Sequence, residues 1–107
     1  MADPLEEAVD KFKTEWPGSR ILQLSSKSGT FVFKVPSMAE MDAYRARQNN
    51  PQQRPKAMES MVRTCLIFPD RDAFQAVVEQ KPLLIEKWAD KLADAAGADE
   101  EVEVKNL

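Results

Sequence analysis

The sequence predicts a mostly helical α+β fold, with one β-hairpin packed on a cluster of about four to five helices. Three observations predict it. Apolar residues recur at helical spacing in separate stretches along the chain. Proline, glycine and capping residues punctuate those stretches. One segment alone, residues 21–35, is rich in β-formers on both sides of a polar turn. At 107 residues the chain suits one globular domain, read as residues 1–97, followed by an acidic flexible tail over 98–107.

The elements follow in order. Asp3 can cap a first helix, with Pro4 at its first position and Glu6 completing a capping box. Leu5, Val9, Phe12 and Trp16 form its stripe, and Pro17-Gly18 ends it. Strands are expected at Ile21–Leu24 and Thr30–Val35, with Ser25–Gly29 as the turn. A lone hairpin is marginal, so it must lie on the helices or pair with another chain. Ser37 and Glu40 form a capping box for a second helix carrying Met38, Met41 and Tyr44, whose periodicity fades after Arg45. Gln48–Arg54 is polar and holds Pro51, so it reads as a loop. A third helix runs from near Pro55, aligning Met58, Met61, Val62, Cys65 and Leu66, until Phe68-Pro69 stops it. Asp70 caps a short fourth helix bearing Phe74, Val77 and Val78. Pro82 begins the last, striped by Leu84, Ile85, Trp88 and Leu92, and Gly97 fits the left-handed position past its end. Phe12, Trp16, Leu22, Phe31, Phe33, Val62, Cys65, Phe68, Phe74, Val77, Leu84, Trp88 and Leu92 are the expected core.

Composition excludes more than it assigns. With 43% hydrophobic and 31% charged residues the chain is an ordered globular type. It has no histidine and one cysteine, so neither a zinc site nor a histidine-activated nucleophile can be assembled. No glycine-rich phosphate loop or calcium loop is present. Glu86, Asp90 and Asp94 share a helix face with Lys87 and Lys91 between them, the pattern of a solvated face. The chain therefore reads as no enzyme and without cofactor or metal. Cys65, among Met61, Val62 and Leu66, reads as a small buried hydrophobe. Net charge is −3, matched by the tail alone, where Asp99, Glu100, Glu101 and Glu103 oppose Lys105. Such a chain gains nothing from bulk attraction to nucleic acid or anionic membrane. The acidic start Met1–Glu7 has no apolar run after it, which predicts a cytoplasmic protein without a leader.

Two features suggest contact with another protein. A basic run, Arg45, Arg47, Arg54, Lys56 and Arg63, lacks the interleaved aromatics of a nucleic-acid surface. It reads as a solvated face or a contact for an acidic protein. Met38, Met41, Met58 and Met61 fall close together, either filling the space between the second and third helices or forming an adaptable apolar surface.

The run Phe31-Val32-Phe33-Lys34-Val35-Pro36-Ser37-Met38-Ala39-Glu40-Met41 resembles the strand, Pro-Ser and polar-start helix of tail assembly chaperones from long-tailed bacteriophages. Met61-Val62-Arg63-Thr64-Cys65-Leu66-Ile67-Phe68-Pro69-Asp70 is similar to a second element of that family, and Lys81–Leu83 and Ala95-Ala96-Gly97 follow in the same order. The resemblance spans roughly residues 20–97. It departs where the family often carries a tryptophan or phenylalanine and this chain has Met41 and Tyr44, and the first helix has no counterpart in it. The resemblance implies a non-catalytic protein of the bacterial host cytoplasm, absent from the mature virion. It would bind and solubilise the tape measure protein and help recruit tail tube protein. The contact residues it implies are Met38, Met41, Tyr44, Arg45, Arg47, Met58 and Met61, with Glu100, Glu101 and Glu103 as an acidic arm. The alternative is a small cytoplasmic adaptor or regulatory module unrelated to phage, a homo-oligomer paired through the hairpin edge.

Overall fold

The computed structural model describes residues 3–98 and 100–107; Met1 and Ala2 of the acidic start and Asp99 of the tail lie outside them. The order is α1 (Pro4–Glu15), β1 (Ile21–Ser26), β2 (Gly29–Lys34), α2 (Met38–Asn49), α3 (Arg54–Cys65), β3 (Leu66–Phe68), α4 (Arg71–Gln80) and α5 (Leu84–Ala93). A wide turn, Asp94–Ala98, follows α5 and closes on Gly97 at φ 114°. The fold is thus α+β and mostly helical, as the periodicity predicts.

The sheet has one strand more than expected. The third helix stops at Cys65, and Leu66–Phe68 pairs antiparallel with β2, giving the order β1-β2-β3. Ile67 is the extra residue of a bulge, since Phe33 pairs with Leu66 and Val32 with Phe68. This places β2 in the centre, which is why Phe31, Val32 and Phe33 are all buried. The hairpin needs no second chain to complete it. β1 and β2 pair from Ile21 with Lys34 to Ser26 with Gly29. The Lys81 ammonium donates to Ser28 Oγ at 2.9 Å, tying the hairpin turn to the α4–α5 connection.

Caps set the helix ends. Asp3 accepts from the Leu5 amide at 2.9 Å, and Asp70 from the Ala73 amide at 2.8 Å. Ser37 and Glu40 form the full capping box. The loop expected over 48–54 shrinks, because α2 runs a turn further to Asn49. Gln48 Nε2 donates to Tyr44 Oη one turn back at 2.7 Å, and Arg54 Nε donates to the free Gln48 carbonyl at 2.7 Å. That bond satisfies one of the orphan acceptors of a helix terminus.

The core gathers between β2 and the helices α3, α4 and α5. Trp88 sits at its centre, with ring centroids 4.6 Å from Phe31, 5.1 Å from Phe74 and 5.8 Å from Phe33. Val62, Cys65 and Leu92 are fully enclosed around it. Each such side chain contributes roughly 1.5–3 kcal/mol by leaving water. Phe12 is only half-buried, and Trp16, expected in the core, is 60% exposed. No residue of α1 is buried. The first helix touches the body along β3 and leaves an open space beside it.

Candidate functional site

The space beside α1 is an open cleft of about 1260 Å³. Lys11, Phe12 and Glu15 of α1, with Trp16 just past its end, line it together with Met38, Met41 and Arg45 of α2. Val35 and Pro36 after β2, Thr64–Ile67, Arg20 and Ala96 complete the lining. The arrangement follows from local sequence. Pro17-Gly18 turns the chain away from α1 before β1 begins, with Gly18 at φ 85°. Pro36-Ser37 then ends β2 and starts α2 beside the same opening.

The Lys34–Glu40 ion pair braces the cleft. Glu40 Oε1 accepts from the Ser37 amide at 3.1 Å, while Oε2 lies 2.7 Å from the Lys34 ammonium. Oε2 is shut off from solvent, and Lys34 is its only partner among the described residues. Burial pushes the Glu40 carboxyl up, but the Lys34 and Ser37 hydrogen bonds and the Lys34 charge outweigh it. The net effect holds Glu40 below the ordinary glutamate value. Cys65 lies behind this pair. Its enclosure, with the Glu40 charge added, drives the thiol up to about 12 against the smaller opposing pull of Lys34. A thiol so held stays protonated and is a poor nucleophile at neutral pH. Lys34 and Glu40 therefore fix the β2–α2 junction.

The residues singled out in the sequence disperse. Met38 is 81% exposed and stands on the cleft. Met41 also lines it while packing on the core, and Tyr44 and Met58 are half-buried against the core between α2 and α3. Met61 is a core residue at 4% exposure, so its side chain is not presented for contact. The methionines thus divide, with Met38 and Met41 on the cleft and Met58 and Met61 packed in or against the core. The residues of the basic run make separate local contacts. Arg45 pairs with Asp42 at 3.3 Å, and Arg54 caps α2. Arg63 pairs with Glu59 at 3.1 Å, donates to Gln75 and lies 5.2 Å above the Phe74 ring. Arg47 is half-buried and Lys56 exposed. Glu100, Glu101 and Glu103 are exposed and outside any helix or strand. Phe12, Trp16, Arg20 and Ile67 are cleft residues that sequence reasoning placed elsewhere or passed over. The α1 stripe carries the signal, but a stripe does not say whether it is covered.

Among the described residues no helix is long and apolar enough to cross a membrane, and no cluster of His, Cys, Asp or Glu could hold a metal. A family model described as a domain of unknown function, DUF6848, matches residues 21–105. The chain belongs to the DUF6848 family. The family match begins at the first residue of β1 and runs on through most of the tail, leaving α1 outside it. The fold is similar to that of an uncharacterised protein, rbstp2171, from Bacillus stearothermophilus, with a TM-score of 0.68 at 18% identity. That likeness covers 91% of this chain and 99% of the other. It is therefore longer than the DUF6848 match and extends into α1. No curated protein matches the chain.

Proposed function

We propose that this DUF6848 protein is a non-catalytic protein-binding module that holds an apolar segment of a client in the cleft between α1 and α2. The observation that carries this reading is that Trp16 and Met38, a large aromatic and a flexible thioether, are both left exposed and both line one open cleft. Exposed large apolar side chains facing a shared groove suit an amphipathic helix or extended strand of another protein. The resemblance of residues 31–41 and 61–70 to tail assembly chaperones supplies the class of client. In this reading the client is a tape measure protein, met in the bacterial cytoplasm, with tail tube protein as a second partner. The test is co-expression with the longest coiled-coil-rich reading frame encoded nearby. A soluble product that co-purifies with several copies of this chain is the expected result. An insoluble product and an unbound chain would overturn the chaperone role.

The adaptor reading keeps one specific foothold, because β1 is an edge strand with Gln23, Ser25 and Ser26 exposed. A dimer in sedimentation equilibrium that Gln23→Pro dissociates would favour it.

A further inference from the structure

We propose that the cleft between α1 and α2 has an occupant within the same chain, its C-terminal segment Glu100–Leu107, which a client must displace. The proposal rests on the cleft being a binding site, as argued above, and adds what keeps it covered when no client is present. Among the described residues the exposed large hydrophobics are Trp16, Met38, Leu83, Val102, Val104 and Leu107. Five of these six belong either to the cleft walls or to the tail, so two uncovered apolar surfaces lie in one small chain.

The two surfaces are close at their root. Ala96 lines the cleft, and Arg20 Nη1 donates to the Ala95 carbonyl at 3.0 Å, pinning the last turn to the cleft margin. Gly97, at φ 114°, redirects the chain there. From Ala98 to Leu107 an extended chain reaches about 30 Å. The twelve residues of α1 are about 18 Å long, so the tail can run the length of the cleft. Val102 and Val104 fall on one side of an extended segment, at the spacing that feeds one apolar face. The intervening Glu101 and Glu103 face the other way. Charge agrees in sign. The cleft is lined by Lys11, Arg20, Lys34 and Arg45 against Glu15, Glu40 and Asp42. With Lys34–Glu40 and Arg45–Asp42 paired, Lys11 and Arg20 remain against Glu15, a net charge of +1. Lys11 and Arg20 have no ion-pair partner among the described residues. The DUF6848 match also continues through Lys105, so Glu100–Lys105 of the segment belongs to what the family model describes.

Burying the two valines is offset by the loss of freedom of eight ordered residues. The contact is therefore weak enough for a client to displace. If the tail covers the cleft nine-tenths of the time, removing it raises client affinity about tenfold.

The test uses the full chain carrying Asn106→Cys with a nitroxide on the new thiol. Cys65 is buried and stays unlabelled. In a dilute sample the nitroxide should broaden the Trp16 indole and the Phe12 and Met38 amide signals. Val102→Asp with Val104→Asp should abolish that broadening. Unbroadened cleft signals, or broadening confined to β1, would overturn the proposal. So would broadening seen only when labelled chain is mixed with isotope-enriched unlabelled chain, which would move the tail onto a second copy. Client binding separates the two readings. Client capture without cleft broadening sinks the tail contact alone. Cleft broadening with no client captured by either chain sinks the client site and leaves the tail contact standing.

Discussion

The two tryptophans sit on similar stripes and end in opposite environments. Trp88 on α5 is 4% exposed, with Phe31, Phe33 and Phe74 around it, whereas Trp16 at the end of α1 is 60% exposed beside an open cleft. Helical periodicity places both on an apolar face, and it cannot tell them apart. What differs is the number of elements that close over the face. α5 lies where β2, α3 and α4 converge, while α1 meets the body along β3. An apolar stripe becomes core only where a second and third layer arrive. Replacing each tryptophan by alanine tests this directly. Trp88→Ala should cost about 3–5 kcal/mol, read as a lowered urea midpoint with an unchanged slope. A loss below about 1 kcal/mol would mean that the aromatic cluster is not the centre of stability.

The same logic explains what could be read from the sequence. Helix starts were legible where a side chain caps them, as at Asp3, Ser37 and Asp70, because capping is a local interaction. The hairpin was legible because strand alternation and a polar turn lie side by side. β3 was not. Leu66-Ile67-Phe68 continues the apolar run of α3, and three residues are too few for either period to declare itself. Only the free edge of β2 makes them a strand, and that edge is set by tertiary packing. The extra turn of α2 depends likewise on Arg54 reaching back to Gln48, a contact across a polar stretch. For the cleft, Met38 and Met41 are legible from the clustering of methionines along the chain. Phe12 and Trp16 read as core from the stripe, because periodicity is local whereas burial is decided by what else packs there.

Between the two regions lies the Lys34–Glu40 pair, joining the buried sheet to the cleft. Its side chains are 29% and 18% exposed, so the pair is partly shielded from solvent. Glu40→Gln keeps the shape and an acceptor for Ser37 but leaves the Lys34 ammonium without a counter-charge. The expected loss at neutral pH is about 1–2 kcal/mol. The pH dependence has a definite sign. The folded-state carboxyl is held below its ordinary value of 4.5. Its contribution is therefore complete above the unfolded value and is lost as pH falls through the folded one. Wild type should lose more stability than Glu40→Gln between about pH 5 and about pH 3, measured as urea midpoints. Parallel losses in the two proteins would show that the pair gives no acid-sensitive stability.

The smallest effects on stability are expected where the cleft is open. Trp16→Ala and Met38→Ala remove side chains that are mostly in water already, so each should change stability by less than about 0.5 kcal/mol. Leu83 is the control, because it is also exposed, at 69%, yet it lies between α4 and α5 and is not part of the cleft. All three alanine variants should unfold with the wild type. If the cleft binds a client, the first two should lose capture while Leu83→Ala retains it. Equal loss in all three would reduce the interaction to general surface stickiness. A large destabilisation by Trp16→Ala would mean that α1 closes onto the body in solution, and the contrast between the two tryptophans would fail at its root.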